Sequence, residues 1–242
     1  MVLCGVWEIE EGVPCHGVRY PRGRGERAER SSWGEIPQRS GYPRGQGTPE
    51  VEGSEELKLE YFDVCDENGM PTGEVVERSV AHSKGILHRT AHVWIIRKVE
   101  GRWQVLLQKR SENKDSYPGM FDTSSAGHIP AGVEPPESAL RELSEELGIF
   151  AGKEQLKRIG TFRTEYEEVF HGEPFHDNEV ISVYVYCEPV DPDQLVLQES
   201  EVEAVQYFDL EEAYKETCEG SERFCMNPKG MKVLVDYLKE VP

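Results

Sequence analysis

The sequence predicts an α/β (α+β) fold in which helices pack on a mostly antiparallel or mixed sheet, behind an irregular N-terminal tail. Three observations carry that expectation: a composition break near residue 56, short β-branched and aromatic runs beyond it, and two amphipathic stretches at 135–147 and 228–240.

The break comes first along the chain. Residues 1–56 contain 10 of the 23 glycines and 5 of the 15 prolines, with no lysine or aspartate. Glycine raises the entropy cost of ordering and proline removes a backbone donor, so this stretch is expected to be a disordered tail and 57–242 the folded domain. The tail's arginines do not make a nucleic-acid arm, because its glutamates outnumber them.

Within the domain, 59–64 reads as a strand, and Glu67-Asn68-Gly69 is a turn leading to a second strand at 73–77. Apolar runs at 91–99 and 103–109, joined by Glu100-Gly101-Arg102, predict an antiparallel hairpin. At 135–147 proline opens a helix, leucines recur on one side and Gly148 closes it. Strands follow at 158–164, 180–187 and 202–208, and Met231, Val233, Leu234 and Leu238 stripe the last helix.

Composition excludes several functions. The chain is long enough to bury a core, and no apolar run approaches the roughly 20 residues that span a bilayer. No basic start leads into a sustained apolar stretch, so the expected location is cytoplasmic. Cys4, Cys15, Cys65, Cys187, Cys218 and Cys225 form no CxxC pair and are expected to be reduced thiols. A formal charge of −19 argues against long nucleic acid or an anionic membrane as partner. An anionic small molecule remains compatible, because bound cations invert the local field at a carboxylate-rich site.

The chemistry concentrates in Arg141-Glu142-Leu143-Ser144-Glu145-Glu146-Leu147-Gly148-Ile149. Glu142, Glu145 and Glu146 fall at i, i+3 and i+4 and share one helix face, while Leu140, Leu143 and Leu147 project toward another. Like charges so spaced destabilise a bare helix by roughly 0.2–0.5 kcal/mol per pair, which a hard cation on oxygen ligands would offset. Such a face is ordinarily just solvated; the context changes that.

Gly127, fourteen residues before Arg141, joins Arg141, Glu142, Glu145, Glu146 and Gly148, with aliphatic Leu143 and Ile149, in a pattern that resembles the Nudix box. The resemblance implies an α/β/α sandwich with a mixed sheet and metal-dependent hydrolysis of a diphosphate linkage in a nucleoside diphosphate derivative or similar small molecule. It implies Mg²⁺ or Mn²⁺ on Glu142, Glu145 and Glu146, with Arg141 orienting a glutamate and Gly127 in the substrate-side loop. Val133 stands where the family has a glutamate, with Glu134 beside it, which leaves the loop's hydrogen bonding open.

Three further stretches, 88–94, 117–122 and 124–128, are similar to a subgroup that includes isopentenyl diphosphate isomerases. That supplies a rival activity, yet Ala126 occupies the place of the isomerase's catalytic cysteine and has no proton to exchange. On the isomerase pattern His82, His88 and His128 are possible metal ligands; read as isolated histidines they are packing or surface residues. Glu179 is the candidate for a metal ligand or general base beyond the box, in competition with Glu165, Glu167 and Glu168. Lys109 and Arg110, at a strand end, are candidate phosphate contacts. A non-catalytic diphosphate-binding module is the third reading.

Overall fold

The computed structural model describes residues 59–170 and 172–240, and the expectation for residues 1–56 falls outside them. The domain opens with a two-stranded antiparallel hairpin, β1 (Tyr61–Cys65) and β2 (Pro71–Glu77). The Asp66 carboxylate closes its turn by accepting from the Asn68 and Met70 backbone N–H groups at 2.8 and 2.9 Å. A short helix α1 (Arg78–Lys84) follows and ends on Gly85; the sequence reading gave it no element.

The main sheet contains β3 (His88–Val99), β4 (Arg102–Arg110), β5 (Phe121–Asp122), β6 (Ser125–His128), β7 (Leu156–Phe170), β8 (Glu173–Tyr186) and β9 (Val202–Asp209). Its order is β5-β4-β3-β8-β7, with β6 added to β3 and β9 to β4. The sheet is mixed, as expected: β3 and β8 run parallel and the remaining pairs antiparallel. Strands β7 and β8 extend well past the expected 158–164 and 180–187. Residues 179–186 of β8 pair with β3, whereas 173–178 pair among the described residues with β7 alone, so the hairpin continues beyond the sheet as a two-stranded arm.

Helix α2 (Pro135–Leu147) has the predicted limits. Prolines occupy its first turn and Gly148 closes it at φ 69°, donating to the Leu143 carbonyl. Helix α3 (Leu210–Glu219) was not predicted, although Asp209 caps it by accepting from the Glu211 and Glu212 N–H groups. Helix α4 (Pro228–Glu240) again has the predicted limits.

Strand periodicity sorts the core onto the two sheet faces. Trp94, Val105, Leu107, Ile181, Val183 and Val185 pack with Leu210, Met231 and Leu234 of α3 and α4. Ala91, Val93, Ile95, Leu106 and Tyr184 pack with Ala139, Leu143 and Leu147 of α2. The result is the α/β/α sandwich. Leu143 is fully buried, so Leu143→Ala is expected to cost about 2–5 kcal/mol, read from denaturant unfolding. Unchanged stability would mean that this face does not anchor α2.

Candidate active site

A cleft of about 1040 Å³ collects the acidic face of α2, strand β6, the β4–β5 loop and one face of the β7–β8 arm. Glu142, Glu145 and Glu146 all line it, because Leu143 and Leu147 commit the opposite side of α2 to the sheet.

Arg141 ties this face together. Its guanidinium donates to Glu142 Oε1 at 2.5 Å, to Glu145 Oε2 at 3.3 Å and to the His128 carbonyl at 3.2 Å. Glu142 lies under β6 at Gly127, where a Cβ would come within 2.3 Å of its carboxyl; a glycine is needed for this approach. Burial pushes the Glu142 carboxyl up to about 8, opposed by Arg141. Glu146 is the most enclosed of the three, accepting from the Ala126 N–H at 3.2 Å and the Gln108 amide at 3.3 Å. Burial pushes it up to about 7 against those hydrogen bonds. Glu145 is half-exposed. Three carboxylates line one cleft, two of them desolvated, and carboxylate oxygens suit Mg²⁺ or Mn²⁺; among the described residues, however, the groups whose ligand atoms lie within 4.8 Å of one another are formed by His82, His88, His128, Asp177 and Glu179 and do not include these three.

A second acidic group adjoins the first. His82, His88 and His128 bring ring nitrogens within 4.8 Å of one another, as do His88, Asp177 and Glu179 with their ligand atoms. His82 Nε2 lies 3.6 Å from Asp177 Oδ1, and His128 Nε2 lies 3.5 Å from Glu179 Oε1. Burial holds all three imidazoles below the ordinary histidine range, so they are neutral. His88 Nδ1 lies 2.8 Å from the Ile86 carbonyl and must carry its proton there, which leaves Nε2 with a free lone pair. That Nε2 and the facing Asp177 Oδ1 are buried without hydrogen-bond partners. Two orphaned acceptors 3.9 Å apart fit a shared cation. Burial raises the Asp177 and Glu179 carboxyls, and the charge of Asp177 raises Glu179 further.

The sequence leaves these histidines between a ligand role on the isomerase pattern and packing or surface positions; the parallel β3–β8 register, His88 opposite Glu179, gathers them with the arm's acids. It also missed Asp177, two residues before Glu179 and therefore on the same strand face. Glu179 lines the cleft and accepts from Thr90 Oγ1 at 3.3 Å. Glu165 and Glu168 line its outer part, whereas Glu167 is exposed and 3.4 Å from His176 Nδ1. Arg110 lines the cleft while holding Asp122 at 3.0 Å. Lys109 corrects an expectation: successive strand residues face opposite ways, and Lys109 pairs with Glu203 at 2.8 Å outside the cleft. Lys114 and Arg78, not anticipated, also line the cleft. The loop left open by Val133 is secured otherwise. Arg89 donates to the Val133 carbonyl at 3.2 Å and to Asp63, which in turn accepts from the Gly132 N–H at 2.9 Å.

Gly127→Ala tests the close approach. The added methyl meets the end of a flexible side chain, so the fold should survive while Glu142 is displaced. Mg²⁺ affinity by calorimetry should fall roughly 10–100-fold, the range for groups that orient a ligand. An unchanged affinity would remove Glu142 from the metal site.

Nudix hydrolase 3 of Arabidopsis thaliana is 43% identical over 155 residues, covering 63% of this chain but 20% of that protein, so the chain spans only a fifth of its length. An uncharacterised Nudix hydrolase of Clostridium acetobutylicum is 35% identical over 156 residues, covering 64% of this chain and 73% of that one. The fold is similar to the crystal structure of DR0079 from Deinococcus radiodurans, with TM-score 0.54 and 16% identity over 73% of this chain and 98% of that one. Residues 86–227, more than half of the chain, match the NUDIX domain model, and the chain belongs to the Nudix family.

Proposed function

We propose that this protein hydrolyses a diphosphate linkage in a small nucleoside diphosphate derivative or similar molecule, with Mg²⁺ or Mn²⁺. The observation that carries the reading is the convergence of Glu142, Glu145 and Glu146 on one cleft that also presents Arg110, Arg141 and Lys114.

Glu142, Glu145 and Glu146, with Glu179 across the cleft, would hold the divalent cation. When bound, the cation supplies neutralisation of phosphoryl charge and acidifies water. Arg110 and Lys114 bind and orient the phosphate oxygens, while Arg141 fixes the rotamers of Glu142 and Glu145. A glutamate of α2 would take the proton of the attacking water as the anhydride bond breaks.

A second reading, isomerisation of isopentenyl diphosphate by proton transfer, is favoured by the cluster of three histidines, Asp177 and Glu179. Ala126 counts against it, because a methyl group at that position neither gives nor takes a proton.

Incubation with Mg²⁺ and a panel of nucleoside diphosphate derivatives plus isopentenyl diphosphate, followed by phosphorus NMR, separates the readings. New phosphate species support hydrolysis, and carbon rearrangement without them supports the isomerase. Binding without turnover would leave a diphosphate-binding module. Glu146→Gln should keep the fold by circular dichroism and lower turnover by roughly 10²–10⁴-fold. Full metal-dependent activity in that variant would overturn the assignment.

A further inference from the structure

We infer that Tyr117 and Phe170 form an aromatic clamp at the outer end of the cleft, which stacks on the base of a nucleoside diphosphate substrate. The inference rests on the hydrolase reading above and adds where the organic group lies.

The argument begins with strand parity. On β7, Thr164, Tyr166, Glu168 and Phe170 share a face; on β8, Phe175, Asp177 and Glu179 do, and all seven line the cleft. This face is graded along its length. At the base, Glu179 lies beside His88 and His128; at the tip, Phe170 packs edge-on to Phe175 with centroids 5.3 Å apart at 71°. The polar end therefore meets the candidate metal-ligating groups, Phe175 stacks on His82 at 4.5 Å and 20°, and Phe170 carries the aromatic surface outward from there.

The second half of the clamp comes from another loop. Tyr117, between β4 and β5, meets Phe170 at 5.4 Å and 80°. Its backbone is at φ 50°, a left-handed conformation disfavoured for a residue with a side chain, which persists only where its surroundings impose it. Those surroundings are visible: Arg110 donates to the Ser116 carbonyl and hydroxyl, both at 3.0 Å, and fixes the residue immediately before Tyr117. Arg110 thus links the phosphate end of the cleft to the position of the ring.

Length decides what the clamp takes. From Glu179 to Phe175 is four strand residues and from Thr164 to Phe170 six, which at about 3.3 Å per residue is roughly 13–20 Å. A five-carbon chain at about 1.5 Å per bond ends within about 6 Å of its diphosphate and stops short. A ribose between diphosphate and base carries a flat ring outward to the clamp, where an aromatic face receives any base by stacking.

The test is calorimetric titration of the wild type, Phe170→Leu and Tyr117→Leu with ADP, isopentenyl diphosphate and inorganic pyrophosphate, all with Mg²⁺. Leucine keeps apolar bulk in the arm while removing the ring. Each variant should weaken ADP about tenfold and leave pyrophosphate and isopentenyl diphosphate within twofold; Phe170→Trp should retain ADP affinity. ADP affinity unchanged in both variants would overturn the clamp while leaving the hydrolase reading intact, as would a parallel loss for all three probes. Failure of the wild type to bind any of them would overturn both.

Discussion

The burial of Leu143 and Leu147 against the sheet determines where Glu142 and Glu146 point, and the cleft depends on that constraint. A helix turns 100° per residue, so anchoring one side in the core leaves its acidic side no choice of direction. The outcome is costly in isolation, since carboxylates at i and i+4 repel and two of these are largely withdrawn from water. Arg141 offsets part of the cost within the chain through Glu142 and Glu145. The hydrogen-bond donors to Glu146 among the described residues are neutral, the Ala126 N–H and the Gln108 amide among them. A site so arranged is complementary to a cation rather than to water.

The same economy of position appears across the cleft. Strand β6 is four residues long, yet it places Gly127 over Glu142 and His128 beside Glu179. The parallel pairing of β3 with β8 then sets His88 opposite Glu179, so residues 91 positions apart in the sequence share one buried pocket. Both halves of the site are thus held by regular backbone pairing rather than by loops, which suits groups that must keep their geometry while charge is redistributed.

Much of this was legible in the sequence where local chemistry matches the final environment. Helices α2 and α4 were readable because proline at the start and an apolar stripe belong to the helix itself, and the spacing of Glu142, Glu145 and Glu146 specified their shared face without tertiary information. The arm was under-read because residues 165–178 are rich in acids and lack a second sheet neighbour, so the hydrophobic signal of a strand stops where the β3–β8 pairing stops. Helix α3 left a readable signature in Asp209 and Gly220; α1, only seven residues long and with no side-chain cap, left little. The histidines come together in the sequence only through the isomerase resemblance, since their convergence depends on a register that no single segment encodes. Lys109 failed for the opposite reason: strand parity alone forbids it and Arg110 from sharing a face.

The charge of the whole chain sets the last condition on how the cleft works. At −19 the protein repels a diphosphate at long range, although salt confines that field to about a Debye length of 8–10 Å. Within the cleft, Arg110, Arg141 and Lys114 reverse the sign locally, but each is already engaged, with Asp122, with Glu142 and Glu145, and with Glu201. Phosphate oxygens therefore compete with carboxylates for these cations unless added positive charge takes up the carboxylates. Cation and diphosphate then favour each other's binding, and the coupling is reciprocal by thermodynamic necessity. On the proposed reading, the acidity of the site would make binding of a diphosphate by this acidic protein conditional on a metal.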